Sequence, residues 1–242
     1  MSAPATTSAA ARRCEIDHLV IAADSLAQGA AWCEAVLGVA PGPGGTHPLM
    51  GTHNRLLRIA SPAFPLAYLE ILAIDPAAPP PARARWFGLD APALQAALRV
   101  SPRLVGLVAR TADLDGVRQA LLALGIDPGP ALAAERTTPQ GRLAWRIAVR
   151  EDGALPGGGR LPTLIQWQGR HPAEAMAPSP LALSAVVLGR LVPAEAELLG
   201  LPGQNAVAVS ATAGGAATPS TLPALSVTLA TPIGPVTLST AA

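Results

Sequence analysis

The stretch Glu15-Ile16-Asp17-His18-Leu19-Val20-Ile21-Ala22 decides the fold, because it is a buried-strand pattern with one histidine inside it. The pattern recurs later in the chain. Aligning Leu19-Val20 with Leu107-Val108 places Gly106 opposite His18. We therefore expect a duplicated unit, of which only the first copy keeps the histidine.

The residues that follow this strand predict a β-α-β-β-β module. A helix is expected over residues 25–37, with Asp24 or Ser25 as its N-cap and Gly38 just past its end. Three further strands are expected after a Gly/Pro-rich loop, near residues 47–51, 54–59 and 67–74.

A second module repeats this order. Its expected elements are a strand over 104–110, a helix over 114–124 capped by Asp113, and strands near 131–136, 143–149 and 162–167. A shorter repeat of the same pattern is expected from about residue 183, with a surface loop over 211–221. The predicted organisation is a disordered tail (1–13), a first module with its proline-rich linker (14–85), a second module (86–175) and a partial third module (176–242).

The composition excludes several classes of function. All 17 basic residues are arginine, so neither a lysine Schiff base nor the lysine of a phosphate-binding P-loop is available. A net charge of +1 without a basic stripe gives no reason to expect nucleic acid or a membrane surface as partner. Two cysteines, Cys14 and Cys33, and no apolar run of about 20 residues lead us to expect a reduced, soluble, cytoplasmic protein that binds a small molecule.

Several short motifs span most of residues 14–175. They are Asp17-His18-Leu19-Val20, residues 47–57, Tyr68-Leu69-Glu70-Ile71, Arg85-Trp86-Phe87-Gly88-Leu89, and Leu164-Ile165-Gln166-Trp167 followed by His171-Pro172. On the paired modules, these motifs resemble the vicinal oxygen chelate superfamily, and specifically its glyoxalase-like branch. Glyoxalase I, extradiol dioxygenases and bleomycin-resistance proteins belong to this superfamily. The resemblance implies an α+β fold in which paired β-α-β-β-β modules form a curved mixed sheet with a cleft, here with a partial third module.

The same resemblance implies a metal site. In the superfamily, ligands come from the first and fourth strands of each module, which points to His18 and Glu70 in the first module. The second module offers Gly106 and Gln166 at the matching places, so the third ligand would be either His53 or the weaker amide oxygen of Gln166. The alternative is a neutral core histidine at position 18 that donates a hydrogen bond to Glu70 without a metal.

Three residues are candidates for contacting a substrate. His47, in a Gly-rich loop, is either solvated or a lid contact. Because side chains alternate along a strand, at most one of Arg55 and Arg58 can point into the cleft, where its guanidinium would bind a substrate carboxylate. The alternative is that either arginine is a solvated charge at the edge of the sheet. Gln166 is expected to face the cleft, which would turn Trp167 outward under the helices.

Two classes of function are compatible with these residues. One is a divalent-metal-dependent (Fe, Mn, Ni or Zn) lyase, isomerase or dioxygenase that acts on a small oxygenated metabolite, with Glu70 as metal ligand or catalytic base. The other is a metal-free protein of the bleomycin-resistance type that sequesters a ligand in the same cleft. Because the partial third module exposes sheet edges, we expect it to pack on the paired modules or on its equivalent in a second chain, which would give a homodimer.

Overall fold

The computed structural model describes residues 14–139, 141–201, 207–210 and 223–240. The expected tail over 1–13 and the expected loop over 211–221 lie outside these residues. The described helices are α1 (Leu26–Leu37), α2 (Pro92–Val100), α3 (Leu114–Ala123) and α4 (Pro193–Leu199). The described strands are β1 (Glu15–Ala22), β2 (Thr46–His47), β3 (Thr52–Arg58), β4 (Tyr68–Ile74), β5 (Arg103–Arg110), β6 (Ala131–Thr138), β7 (Gly141–Ala148), β8 (Thr163–Gln168), β9 (Ala182–Gly189), β10 (Val207–Ser210), β11 (Leu225–Thr231) and β12 (Gly234–Ser239).

The two modules have the β-α-β-β-β order that the sequence predicts. In the first, the Ser25 side chain caps α1 by accepting a hydrogen bond from the Gln28 N–H, and Gly38 ends the helix with a left-handed φ of 71°. In the second, the Asp113 side chain caps α3 by accepting from the Gly116 N–H. The helix α2, which precedes the first strand of the second module, was not expected from the sequence.

The two modules share one curved eight-stranded sheet in the order β2-β3-β4-β1-β5-β8-β7-β6. β1 and β5 pair antiparallel at its centre, while β1 pairs parallel with β4 and β5 parallel with β8. Alternation along the central strands sends side chains to two faces. Leu19 and Leu107 pack on the helix face, whereas Val20 and Val108 pack on the cleft face.

The C-terminal unit covers the helix face. Its four strands form a separate sheet in the order β10-β9-β11-β12. The Leu183 N–H on β9 donates to the Ile59 carbonyl at 2.8 Å, and the Cys14 N–H donates to the Leu199 carbonyl at the end of α4 at 3.0 Å. Its aliphatic side chains join the core of the helix face. The unit therefore packs on the paired modules of its own chain and leaves the cleft face open.

Within the described residues, no helix combines the length and the apolar character that crossing a membrane requires.

Candidate functional site

The cleft face carries a pocket in which a few polar groups converge between aromatic walls. Its empty volume, open mouth included, is about 410 Å³. Its polar lining residues are His18, His47, Asn54, Glu70 and Arg136. Its other lining residues are Leu56, Tyr68, Trp86, Phe87, Trp145, Ile147, Ile165 and Trp167. This composition is typical of a site for a small molecule.

A bulge in β1 brings Asp17 next to the pocket. Ile16 pairs with Ala109 and His18 with Val108, so Asp17 is an extra residue without a partner on β5. A bulge of this kind re-aims a side chain that strict alternation would send to the other face. As a result, Asp17 Oδ1 lies 2.6 Å from Nδ1 of the neighbouring His18.

Asp17 is a fully buried carboxylate with three nitrogen partners. Besides His18, Trp167 Nε1 donates to Oδ2 at 2.9 Å, and His171 Nε2 lies 2.9 Å from the same oxygen. Because His171 Nδ1 accepts a hydrogen bond from the Ala173 N–H, its Nε2 carries a proton for Asp17. Burial opposes ionisation, but the hydrogen bonds and charges of His171 and His18 hold the pKa of Asp17 well below its usual range. Asp17 is therefore an anion that orients His18.

Glu70 on β4 presents its carboxylate between two histidines. Its Oε2 lies 3.6 Å from His18 Nε2, and its Oε1 lies 3.9 Å from His47 Nε2. Asn54 Nδ2 donates to Oε1 at 2.6 Å. One carboxylate oxygen is thus engaged by an amide, while the other faces His18 across a gap longer than a hydrogen bond.

His47 is buried, not solvated. Its Nδ1 lies 3.1 Å from Thr52 Oγ1, and its Nε2 lies 3.3 Å from Asn54 Nδ2. The orientation of the Asn54 amide follows from its oxygen, which accepts from the Gly45 N–H and from Arg136. Burial, reinforced by the charge of Arg136, lowers the pKa of His47 to about 4. His47 is therefore a neutral imidazole whose Nε2 accepts from Asn54.

Aromatic rings enclose these groups. The Tyr68 ring stacks on His18 with 4.5 Å between centroids, and Trp86 meets His47 edge-on at 5.0 Å. Burial, together with the charges of Asp17 and Glu70, raises the pKa of Tyr68 well above its ordinary value, so its phenol stays protonated. Apolar rings lower the local dielectric, which strengthens the electrostatic interactions among the polar groups.

The second module fills its half of the cleft with Phe87. A Cβ on Gly106, the residue opposite His18, would lie 3.4 Å from the Phe87 ring and 3.4 Å from Leu155. Phe87 takes a left-handed φ of 57°, which a bulky side chain rarely adopts. Such strain persists only where the surrounding structure imposes it, and it clusters at binding sites.

Strand register also identifies the second-module counterpart of Glu70. Val20 pairs with Glu70 in the first module, and the matching Val108 pairs with Thr163 in the second. Gln166 is therefore not that counterpart. Its side chain donates to the Ala112 carbonyl at 2.7 Å, and it is Trp167 that lines the pocket, the reverse of the expected orientation.

Two other expected site residues also lie away from the pocket. Asn54 and Leu56 on β3 line the pocket, so the alternate residues His53 and Arg55 point to the other face. His53 Nδ1 lies 3.8 Å from Asp75 Oδ1, and Arg55 is exposed. The structure therefore corrects their placement: His53 does not complete a ligand set with Glu70, and Arg55 does not clamp a ligand in the pocket.

In this arrangement the described side chains do not fit a divalent metal. His18 Nε2 and Glu70 Oε2 are two available donors, but His47 Nε2 and the second Glu70 oxygen both face the N–H group of Asn54. Protein sites for such metals use three or four side-chain ligands. Across the described parts of the chain, no three His, Cys, Asp or Glu residues form a group that could hold a metal ion.

Sequence reasoning missed three polar residues of this site. Asp17 had a usable signal, since a carboxylate inside an apolar strand needs buried partners. Asn54 had a weaker one, because alternation places it on the same face as Leu56. Arg136 had none, because only the closure of the sheet brings β6 of the second module to Asn54.

Comparisons with known proteins agree with this fold. The model of a family described as having a glyoxalase-like domain matches residues 16–199. The structure is similar to that of a hypothetical protein from Staphylococcus aureus, with 13% identity over 94% of this chain and 86% of that chain and a TM-score of 0.50. It is more distantly similar to methylmalonyl-CoA epimerase from Mycobacterium tuberculosis, with 17% identity over 66% of this chain and 91% of that chain and a TM-score of 0.38. A search of curated proteins gave no significant match. At these identities the structural likenesses concern the fold alone.

Proposed function

We propose a function on the basis that the chain belongs to the family of proteins with a glyoxalase-like domain. The protein binds a small oxygenated metabolite and, as an isomerase or lyase, transfers a proton at the carbon next to the carbonyl group of that metabolite. One observation carries this proposal: His18 Nε2 and Glu70 Oε2 face each other 3.6 Å apart inside aromatic walls. Two acid–base groups across one small gap are what proton abstraction beside a carbonyl requires.

Glu70 is the proposed base. Its Oε2 accepts the proton from the carbon next to the carbonyl, while Asn54 holds its Oε1 at 2.6 Å. This hydrogen bond fixes the carboxylate plane and leaves one oxygen for the substrate. The proton that Glu70 takes up returns to the product carbon, so the carboxylate is regenerated.

His18 is the proposed acid. In its protonated form, His18 Nε2 donates to the carbonyl oxygen and transfers its proton as the C–H bond breaks, which gives a neutral enol. Asp17, 2.6 Å from Nδ1, stabilises the positive charge that the ring carries before this transfer. Tyr68, stacked on the ring, keeps it aimed at Glu70. Where the carbon that lost its proton carries a hydroxyl group, that hydroxyl returns a proton to His18 and becomes the new carbonyl, while Glu70 protonates the former carbonyl carbon, which completes an isomerisation.

Exchange of substrate protons with solvent tests this proposal. Three probes, 2-oxobutyrate, acetoacetate and 4-oxopentanoate, are incubated with the protein in D₂O, and loss of the C–H signals is followed by proton NMR. We expect the wild type to accelerate exchange of at least one probe, and Glu70→Gln to lose about 100-fold or more of that rate. Glu135→Gln is the matched control, because Glu135 forms an exposed ion pair with Arg142. Equal rates for the wild type and Glu70→Gln would refute the assignment of the base.

The second candidate function is metal-free sequestration of a ligand. It is favoured by the second-module half of the pocket, where Phe87, Ile147 and Ile165 provide walls instead of acid–base groups. Under this function the probes bind without exchange in any variant.

Elemental analysis of untagged protein tests the metal-free chemistry that both candidates share. We expect well under one Fe, Mn, Ni or Zn per chain. About one metal per chain, lost in His18→Ala, would instead support the metal-dependent enzyme that the family resemblance implies.

A further inference from the structure

We infer that the metabolite is a short-chain oxo acid whose carboxylate binds Arg136. This inference rests on the proposed function, because it names the class of substrate for the same pocket. It also moves the carboxylate clamp from β3, where the sequence placed it, to the second module.

Arg136 is the cation of the pocket lining, and the described residues leave most of its donors available. It lies half-buried on β6, and its Nη1 donates to Asn54 Oδ1 at 3.3 Å. No described carboxylate lies within ion-pair distance of it, whereas Arg142 and Arg146 on the neighbouring β7 pair with Glu135 and Asp115. A guanidinium has five N–H donors in a fork that matches a carboxylate.

Gly45 makes room for this guanidinium. A Cβ at position 45 would lie 2.5 Å from Arg136 Nη1, closer than real Cβ atoms approach other atoms. The position of Arg136 in the pocket thus depends on a glycine in the loop before β2. This close approach gives a way to displace the guanidinium without removing its charge.

Asn54 sets the spacing between Arg136 and the base. Its amide oxygen accepts from Arg136, and its amide nitrogen donates to Glu70 Oε1. The cation and the base are therefore held at opposite ends of one amide group. A ligand carboxylate on Arg136 places the carbons a few bonds away beside Glu70 Oε2 and His18 Nε2. This spacing suits an oxo acid whose carbonyl is close to its carboxylate.

Trp86 adds an unpartnered donor to the residues of the pocket wall. Its side chain is 5% exposed and lines the pocket, yet its Nε1 is buried without a hydrogen-bond partner among the described residues. Buried N–H groups in native structures nearly always have a partner. A carboxylate or carbonyl oxygen of the metabolite would provide one.

Calorimetric binding of matched acids and esters tests the inference. The probes are 2-oxobutyrate, acetoacetate and 4-oxopentanoate, each compared with its methyl ester. We expect the wild type to bind at least one acid at least 10-fold more tightly than its ester, and Arg136→Gln to lose that preference while its ester affinity is unchanged. Arg142→Gln, on the exposed face of the same hairpin, should keep the preference. Gly45→Ala, which obliges the guanidinium to shift while its charge is retained, should weaken it.

Unchanged ester affinity in Arg136→Gln shows that the variant is folded, so its loss of acid binding would not reflect unfolding. If the wild type binds no acid more tightly than its ester, or if Arg136→Gln keeps the preference, the inference is overturned. The outcomes separate it from the proposed function. If proton exchange depends on Glu70 but no acid binds more tightly than its ester, only the inference about Arg136 is refuted. If the acid preference depends on Arg136 but no probe exchanges its protons, only the proton-transfer proposal is refuted.

Discussion

The buried, neutral His47 predicts a specific loss of stability in mild acid. Burial is the main cause of its lowered pKa of about 4; Glu70 opposes the shift and Arg136 reinforces it. The unfolded chain protonates this histidine near its ordinary pKa of 6.5, while the folded chain resists protonation. Protons therefore favour the unfolded state, and the stabilisation is present in full above the unfolded pKa and lost as the pH falls from 6.5 towards 4.

The size of the effect follows from this window. Each pH unit inside it costs about 1.4 kcal/mol, so a change from pH 7 to pH 5 should lower the free energy of unfolding by about 2 kcal/mol through His47 alone. Asp17 does not contribute in this range. Its folded-state pKa lies below its ordinary 3.8, so its stabilisation is lost only as the pH falls below that value.

Urea unfolding at pH 7 and pH 5, followed by tryptophan fluorescence, measures the difference. His47→Gln cannot take up this proton, so its free energy of unfolding should fall by about 2 kcal/mol less than that of the wild type. His53→Gln is the matched control, because it removes an imidazole from the other face of the same hairpin. Equal losses in the wild type and His47→Gln would show that His47 is not held neutral by burial.

Two further predictions concern the core. Gly29→Ala should lower the melting temperature, because the new Cβ would lie 2.3 Å from Ile71 Cγ2. The overpacking would cost about 1–3 kcal/mol, against a gain of about 1 kcal/mol in helix propensity. An unchanged or raised melting temperature in thermal unfolding would contradict this close contact. Burial raises the pKa of both Cys14 and Cys33 to about 12. Ellman's reagent at pH 8 should therefore label the native protein far more slowly than the urea-unfolded protein. Rapid labelling of either thiol in the native state would contradict their burial.

The modules were predictable from the sequence because they rest on local signals. Strand alternation, the Ser25 and Asp113 caps and the glycine after α1 each act within a few residues. Glu70, which the family resemblance selects, also lies in the pocket lining, on the face that regular alternation along β4 gives it. Local rules were enough wherever a strand followed regular geometry.

The errors in the site arose where position depends on pairing between distant strands. The bulge at Asp17 exists only against β5, so alternation along β1 alone could not place its carboxylate beside His18. Gln166 was matched to Glu70 by sequence spacing, whereas the register of β5 with β8 selects Thr163. These two positions are three residues apart, and an odd offset reverses the face of a strand, which is why Trp167 and Gln166 exchanged roles.

The Phe87 ring beside Gly106 constrains the order in which substitutions could alter this pocket. A Cβ at position 106 would already touch the ring at 3.4 Å, so the longer side chain of a histidine there would compete with Phe87 for the same space. Replacing Phe87 first would instead open a cavity, at a cost of about 3–5 kcal/mol. The residues at positions 87 and 106 are therefore coupled. A symmetric, two-module site is thus separated from the present pocket by a coupled double substitution.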